Sequence, residues 1–141
     1  MNTQQILSFT RLTETAKLPV YGSDQAACFD LFSDIDVMLY PGHFAMVPTA
    51  LVMHIAEGYQ VKINPRSGLA AKHGVTVLNA PGTIDSDYTG EVKVILINHG
   101  ERPFRINRGD RIAQGEIMPV YRVDLDSLGQ RKGGFGSSGV K

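Results

Sequence analysis

The sequence predicts an all-β protein of a single domain, built as a barrel or a sandwich. Its 141 residues fit one domain, and hydrophobic residues make up 43% of the chain, which is enough for one core. Short apolar or alternating runs recur along the chain, and turn signals such as Pro41-Gly42 and His99-Gly100 separate them. Many short strands at such a spacing are typical of all-β barrels and sandwiches.

The predicted strands follow one another from residue 27 to residue 120. They are 27–33, 43–55 with an interruption at Pro48, 59–64, 91–98, 103–107, and 111–120 with a break at Gly115. Residues 68–74 are the one stretch suited to a turn or two of helix, with Gly74 as its C-terminal cap. From Gly129 onward glycine and serine predominate, which is typical of a flexible segment. We therefore expect a barrel domain over residues 1–128 and a glycine-rich C-terminal arm over residues 129–141.

Charge and cysteine content argue against several classes of protein. The 14 basic and 14 acidic residues cancel, so the net charge gives no sign of a nucleic-acid or membrane partner. Cys28 is the single cysteine, so no disulfide can form within the chain. The N-terminus lacks a signal-peptide pattern, and no apolar run approaches the ~20 residues of a membrane helix. We expect a soluble, cytoplasmic protein.

The C-terminal stretch GFGSSG (134–139) matches the G-x-G-x-x-G pattern of a dinucleotide-binding turn. That turn opens a helix, and the sequence ends two residues after Gly139, so this interpretation is excluded. Two interpretations remain: a disordered tail, or an arm that becomes ordered over a ligand. In the second, glycine amides, Ser137 and Ser138 would approach phosphates, and Phe135 would stack on a flat base.

Three further stretches carry candidate site residues. In NPRSGLAAKHG, Arg66 precedes a possible helix start at Ser67; this suits an anion site, although the stretch by itself favours a capped helix with a surface arginine. In NAPGTIDSDYTGE, Asp85 and Asp87 follow a short apolar run, and they suit a metal site, a general base with a helper, or a hairpin tip. In RGDRIAQGEI, Gln114 lies in an apolar strand, where a polar side chain that faces the core needs a partner.

Taken in order, these segments resemble the five motifs of the trimeric dUTP pyrophosphatase (dUTPase) family. AACFDLFSD (26–34) is similar to the first motif, and PRSGLAAKHGV (65–75), NAPGTIDSDYTGE (79–91), RGDRIAQGEI (108–117) and GGFGSSG (133–139) are similar to the second to the fifth. The resemblance covers nearly the whole chain, from about residue 20 to residue 139. Cys28 stands where the first motif usually has glycine. Gln130 stands where the fifth usually has arginine, so we expect Arg131 to do that work.

The resemblance implies a jelly-roll-like β-barrel that hydrolyses dUTP to dUMP and pyrophosphate. Water would attack the α-phosphorus, and Asp85 would orient and deprotonate that water. Mg²⁺ would be the cofactor, bound to the triphosphate without a direct protein ligand, and Asp30 would at most contact a magnesium-bound water. The activity would lower dUTP, which keeps uracil out of DNA, and would supply dUMP for thymidylate synthesis.

The resemblance also assigns binding residues and an assembly. The residues assigned to the phosphates are Arg66, Ser67, Gly68, Gln114, Arg131, Gly136, Ser137 and Ser138. The residues assigned to uracil and deoxyribose are Asn79, Gly82, Thr83, Ile84, Tyr88, Lys93 and Phe135. dUTP would be the small-molecule partner. Three copies of the chain would form a homotrimer with shared active sites, in which the arm of one copy covers the site of another.

Rival functions make different demands on the sequence. The similar dCTP deaminases carry a catalytic glutamate five residues after the glycine of IDSDYTG, and here that position is Ile95. A non-catalytic, dUTPase-like binding protein should lack Asp85 or the arm, and both are present. A purely structural barrel would leave Arg66, Asp85 and Gln114 without a purpose.

Overall fold

The computed structural model describes residues 5–129, which form eleven β-strands and one short helix. They are β1 (Leu7–Arg11), β2 (Val20–Tyr21), β3 (Phe29–Phe32), β4 (Val37–Leu39), β5 (Phe44–Ile55), β6 (Tyr59–Asn64), α1 (Ser67–His73), β7 (Val75–Val77), β8 (Gly82–Ile84), β9 (Glu91–Asn98), β10 (Phe104–Ile106) and β11 (Arg111–Pro119). The strands form three sheets, in the orders β1-β5-β9-β7, β2-β3-β11-β6-β8 and β10-β4. The predicted all-β fold is confirmed.

Both larger sheets contribute to one hydrophobic core. Val94 and Leu96 of β9 are each 1% exposed, and Leu31 of β3 and Val61 of β6 are fully buried in the same cluster. Along β9, buried residues alternate with residues that are partly or fully exposed, because successive side chains of a strand point to opposite faces. The apolar residues that alternate along the predicted strands are therefore the ones that form the core.

The predicted strands are present, with bounds that coincide for β6 and β9 and differ by at most two residues elsewhere. The two predicted breaks are wrong, because β5 continues through Pro48 and β11 continues through Gly115. The sequence does not predict β1, β2, β4 and β7, which have only two to five residues each. In runs this short, alternation does not stand out from the surrounding residues.

A bulge lets β5 continue past Pro48. The pairing of β5 with β9 shifts register between Pro48 and Val52, and Ala50 adopts a left-handed conformation there with φ of 56°. Side chains replace the lost ladder bonds: the Thr49 hydroxyl donates to Val92 O over 2.6 Å, and the Glu91 carboxylate accepts from Ala50 N over 3.0 Å. The strand therefore bends without leaving these buried backbone groups unpaired.

The helix ends as the sequence predicts. Gly74 has φ of 69°, a left-handed conformation that glycine adopts without steric cost, and its N–H faces the carbonyls of Leu69 and Ala70. Within residues 5–129, no helix is long and apolar enough to cross a membrane. Of the predicted arm, only Gly129 is described, so the assignments to Arg131, Phe135, Gly136, Ser137 and Ser138 lie outside the described residues.

Gly115 leaves space for an aromatic ring in the core. It lies opposite Phe29 of β3 on one side and Ile63 of β6 on the other. A Cβ atom at residue 115 would lie 2.5 Å from Cζ of Phe29, which real Cβ contacts do not reach. The glycine that suggests a break in the strand is thus the residue over which the Phe29 ring packs.

We expect Gly115→Ala to lower the free energy of unfolding by roughly 1–3 kcal/mol, because the new methyl group overpacks a filled core. Chemical denaturation of the variant and the original protein measures the difference. Gly68→Ala is the control, since a methyl group there would meet no atom outside α1 within 4 Å, and it should leave the free energy of unfolding unchanged or raise it by up to about 1 kcal/mol, because alanine favours a helix more than glycine does. An unchanged unfolding free energy in Gly115→Ala would show that the Phe29 ring does not occupy this space.

Candidate active site

A small cavity lies between β8 and β9. Its volume is about 200 Å³. Its lining includes every described residue that the sequence assigns to uracil and deoxyribose, together with the candidate base: Asn79, Gly82, Thr83, Ile84, Asp85, Tyr88 and Lys93. Buried apolar side chains, among them Val77 and Val94, form part of its wall. We call this space the β8–β9 cavity.

Unpaired backbone edges face the β8–β9 cavity. Within residues 5–129, β8 pairs with β6 alone and is the last strand of its sheet. On its β7 side, β9 is bonded to β7 and to Leu78 only as far as Ile95, which leaves the backbone of Lys93 beside the cavity. Backbone N–H and C=O groups that have no strand partner must find another partner. The two edges can therefore offer donors and acceptors to a flat ligand inserted between them.

The chain between the two strands holds Tyr88 at the cavity. Tyr88 N–H donates to Asp85 O over 3.1 Å and closes a turn after β8. The Tyr88 hydroxyl donates to Glu91 O over 2.8 Å, so the ring folds back over the connection between β8 and β9. Gly90 makes this possible, because a Cβ there would lie 2.7 Å from the Tyr88 hydroxyl oxygen. The turn leaves Asp85 exposed at the end of β8.

The alternatives for Asp85 and Asp87 can now be compared. Both residues are in the connection after β8, but β8 and β9 belong to different sheets and do not pair, so this connection is not the tip of a hairpin. Only Asp85 lines the β8–β9 cavity. Among residues 5–129, no group of three or more His, Cys, Asp or Glu side chains could hold a metal ion. Both carboxylates also line a more open space beside Gly58 and Tyr59, so the geometry singles out Asp85 at the β8–β9 cavity alone.

A second group of candidate residues lies across β3, β11 and β6. Asp30 is opposite Gln114, and Gln114 is opposite Asn64, from which the chain continues to Arg66. The Arg66 side chain donates from Nη1 to Arg111 O over 3.0 Å, and Arg111 Nη1 lies 3.8 Å from Asp30 Oδ2. We call Asp30, Arg66, Arg111 and Gln114 the Arg66 cluster.

The structure shows which face of β11 carries Gln114. Its neighbour Gly115 faces the core with Phe29, so Gln114, one position earlier, faces the opposite side of the sheet and is half-buried. On its own face it is in a row with Asp30 and Asn64, both polar.

Arg66 is neither a free surface residue nor the neighbour of a capping serine. It occupies the N-cap position of α1 itself, without a side-chain capping bond, and Ser67 is the first helical residue. Its guanidinium is bonded to the Arg111 carbonyl, which fixes its direction. Ser67 and Gly68 follow it directly in the first turn of α1.

The two groups of residues are far apart within one chain. Ile84 of β8 is opposite Val61 of β6, so Asp85 continues toward Gln60, whereas Arg66 lies beyond the other end of β6. Six residue positions, from 60 to 66, span roughly 20 Å along a strand at about 3.3 Å per residue. A single chain therefore does not bring Asp85 together with Arg66.

Arg111 is the residue of this cluster that sequence reasoning missed. It stands in the RGDRIAQ stretch, and two consecutive buried residues, Ile112 and Ala113, follow it. Such a pair interrupts the alternation of a strand and is the signal of a bulge. The register of β11 against β3 does shift between Arg111 and Ala113.

These features define the class of the protein. An all-β fold with a small cavity for a flat, hydrogen-bonding ring and a separate cluster with two arginines meets the needs of a nucleotide, which joins a base to phosphates. The chain belongs to the dUTPase family, whose sequence profile matches residues 14–139.

Known proteins similar to this chain agree with that assignment. Deoxyuridine 5'-triphosphate nucleotidohydrolase of Nautilia profundicola is 48% identical over 94% of this chain and 98% of that protein. The protein of the same name from Clostridium tetani is 47% identical over 97% of this chain and 99% of that protein. Among solved structures, the dUTPase of Staphylococcus bacteriophage 80alpha with dUPNHPP has a TM-score of 0.83 at 27% identity, covering 99% of this chain and 100% of that chain.

Proposed function

We propose that this protein is a dUTP diphosphatase, which hydrolyses dUTP to dUMP and pyrophosphate. The observation that carries the proposal is the β8–β9 cavity, with two unpaired backbone edges and Asp85 at its end, in a member of the dUTPase family. The name shared by its bacterial relatives supports the same substrate.

Backbone groups would distinguish uracil from cytosine. Uracil O4 accepts and N3–H donates, and the free edges of β8 and β9 can supply the complementary pair. Cytosine presents the opposite pattern and would leave buried groups unpaired, which can discriminate by ~10⁴-fold or more. Thymine differs only by a methyl group, worth ~1–3 kcal/mol in an apolar pocket, so its rejection depends on how closely the cavity wall approaches C5.

Tyr88 and Lys93 would complete the nucleoside site. The Tyr88 ring, held by its bond to Glu91 O, would lie under the deoxyribose and leave no room for a 2′-hydroxyl. Lys93 is exposed on β9, and its backbone lies beside the cavity, so it would contribute a main-chain contact. Asn79 and Gly82 form the start of the same wall, where Gly82 packs closely on Ile63.

Asp85 would act as the general base. Its carboxylate orients a water molecule and takes one of its protons as the oxygen attacks the α-phosphorus; the bond from this phosphorus to the bridging oxygen breaks and pyrophosphate leaves. Arg66 and Gln114, with Ser67 and Gly68, would hold the phosphates and neutralise their charge. Most of the rate enhancement then comes from positioning and electrostatics.

Mg²⁺ is the cofactor in this proposal. It commonly binds through substrate phosphates and few carboxylates, and it keeps several of its waters. The described residues fit this arrangement, since the buried Asp30 is opposite Gln114, one of the residues proposed for the phosphates. When bound, the ion neutralises charge on the phosphate oxygens, and Asp30 would contact one of its waters.

The substrate and the base can be tested together. We expect the protein with Mg²⁺ to release pyrophosphate from dUTP, but not from dCTP, dTTP or UTP, and Asp85→Asn to bind dUTP while kcat falls by roughly 10²–10⁴-fold. Product analysis and steady-state kinetics measure both effects.

Asp87→Asn is the matched control, because Asp87 lies two residues further on and outside the β8–β9 cavity, and its kcat should stay near the original value. Ammonia released from dCTP, or no turnover of any nucleotide, would overturn the proposed function. Unimpaired turnover in Asp85→Asn would overturn only the role given to Asp85.

A shared active site in a homotrimer would bring the two groups together. Asp85 of one copy would then meet the Arg66 cluster of another, which the distance along β6 prevents within one chain. The segment after β11 supports contact between copies: Tyr121, Val123 and Leu125 alternate like a strand, yet are 91%, 75% and 92% exposed. We infer that this segment pairs with a neighbouring copy.

Mixing two inactive variants tests the shared site. If Asp85 and Arg66 of one site come from different chains, co-expressed Asp85→Asn and Arg66→Met chains form some sites with both residues intact. Random trimers from equal amounts should recover about one quarter of the original activity, because one site in three is intact in each mixed trimer. No recovered activity in verified mixed trimers would place both residues in one chain's site.

We also infer that residues 129–141 form an arm that closes over the site, separate from the barrel domain of residues 1–128. Phe135 would stack on uracil, and Arg131 and the stretch Gly136 to Ser138 would contact the phosphates. The glycine-rich composition and the similarity to the fifth motif support this role.

Deleting residues from Gly133 onward should remove most turnover while the barrel stays folded, because the deleted residues belong to the arm. Kinetics and circular dichroism of the truncated chain measure the two effects. Full turnover in the truncated chain would show that the arm does not take part.

A further inference from the structure

A β-bulge brings Arg111 to the same face as Gln114. Ala113 pairs with Leu31 and Gln114 with Asp30, but Arg111 pairs with Phe32, so Ile112 is an extra residue in β11. Without it, simple alternation would place Arg111 on the core face, where Ala113 and Gly115 lie. Bulges are frequent next to active sites, where they redirect a side chain.

The Arg111 side chain makes few contacts with the rest of the described chain. It is 54% exposed, and its one ion pair, to Asp30 Oδ2, is long at 3.8 Å. A guanidinium has five N–H donors in a planar fork, and this contact uses at most a small part of them. Asp30, with a side chain only 9% exposed, therefore anchors Arg111 while leaving most of its donors for a ligand.

Arg111 also controls the direction of Arg66. The backbone carbonyl of Arg111 accepts a hydrogen bond from Arg66 Nη1, so the main chain at residue 111 helps to orient the Arg66 guanidinium. Both arginines line a cavity of about 170 Å³ beside α1. Because both side chains line the same cavity and planar guanidinium forks match phosphate oxygens, the two arginines suit one multiply charged anion.

We propose that Arg111 is a further substrate-binding residue, which contacts the phosphates of dUTP beyond the first and holds Arg66 in position. This inference rests on the proposed function. Asp85 would act at the α-phosphorus from the other half of the site, so the Arg66 cluster meets the outer phosphates. Part of the affinity for a nucleoside triphosphate then depends on the bulge at Ile112, which places the Arg111 side chain beside the phosphates. Arg111 would make no contact with the base.

The test compares ligands with and without the outer phosphates. Isothermal titration calorimetry in one Mg²⁺-containing buffer measures the affinity for dUMP and for dUPNHPP, the imido analogue of dUTP. Arg111→Met should weaken binding of the analogue by roughly 10-fold or more, since it removes charge-assisted hydrogen bonds, while the dUMP affinity changes less than about 2-fold. Arg111→Lys should recover part of the loss, because it keeps the charge without the fork.

Arg105→Met is the matched control. Arg105 is 56% exposed and lies 3.9 Å from Asp36, so it resembles the Arg111–Asp30 pair but is in β10, outside both groups of site residues. The affinity of Arg105→Met for dUMP and for dUPNHPP should equal that of the original protein. Unchanged affinity for the analogue in Arg111→Met, or an equal loss for dUMP and the analogue, would overturn the proposal. Should Arg111→Met fail to fold, Arg111→Lys decides by the same comparison of the two ligands.

The turnover of dUTP by the original protein, measured on the same preparation, separates this inference from the proposed function. A protein that binds the analogue but leaves dUTP intact would contradict the diphosphatase. The comparison of the two ligands would still decide the role of Arg111.

Discussion

The register of β6 between its two neighbours is the constraint on which the site depends. On one side β6 pairs with β8, which leads into Asp85, and on the other with β11, which carries Gln114. The strand itself continues into Arg66. Because the pairing fixes which residues are opposite one another, it also fixes the distance between Asp85 and Arg66. A one-residue slip would turn Ile63 from the core and replace it with a polar neighbour.

The same sheet has an unpaired edge at β8 that faces the β8–β9 cavity. An unpaired strand edge usually invites association with other strands, so proteins tend to cover or shorten it. Here β8 is only three residues long and its free edge faces a narrow space shared with β9. Recognition through backbone groups, as proposed, would make the base site tolerant of side-chain substitution, because each residue would supply the same donor and acceptor whatever its side chain.

The sequence predicts the bounds of several strands and the candidate site residues, but not the bulges or how distant strands pair. Alternation gives the bounds of β6 and β9, and motif spacing identifies Asp85, Arg66 and Tyr88 as candidates. Alternation fails where a bulge intervenes, as at Pro48 and before Ala113, because an extra residue exchanges the two faces of a strand. The pairing register of β6 with β8 and β11 determines the distance between Asp85 and Arg66. No local sequence pattern predicts this register, because it depends on how whole strands pair.

The contact between Phe29 and Gly115 also constrains how the sequence can change over time. The ring and the missing side chain share one volume, so a larger residue at position 115 fits only after position 29 has become smaller. The reverse order passes through an overpacked intermediate that selection against unstable proteins would remove. Substitutions at these two sites, which adjoin Asp30 and Gln114 in the chain, should therefore occur in one order. In a lineage with a larger residue at position 115, the change at position 29 should be the older of the two.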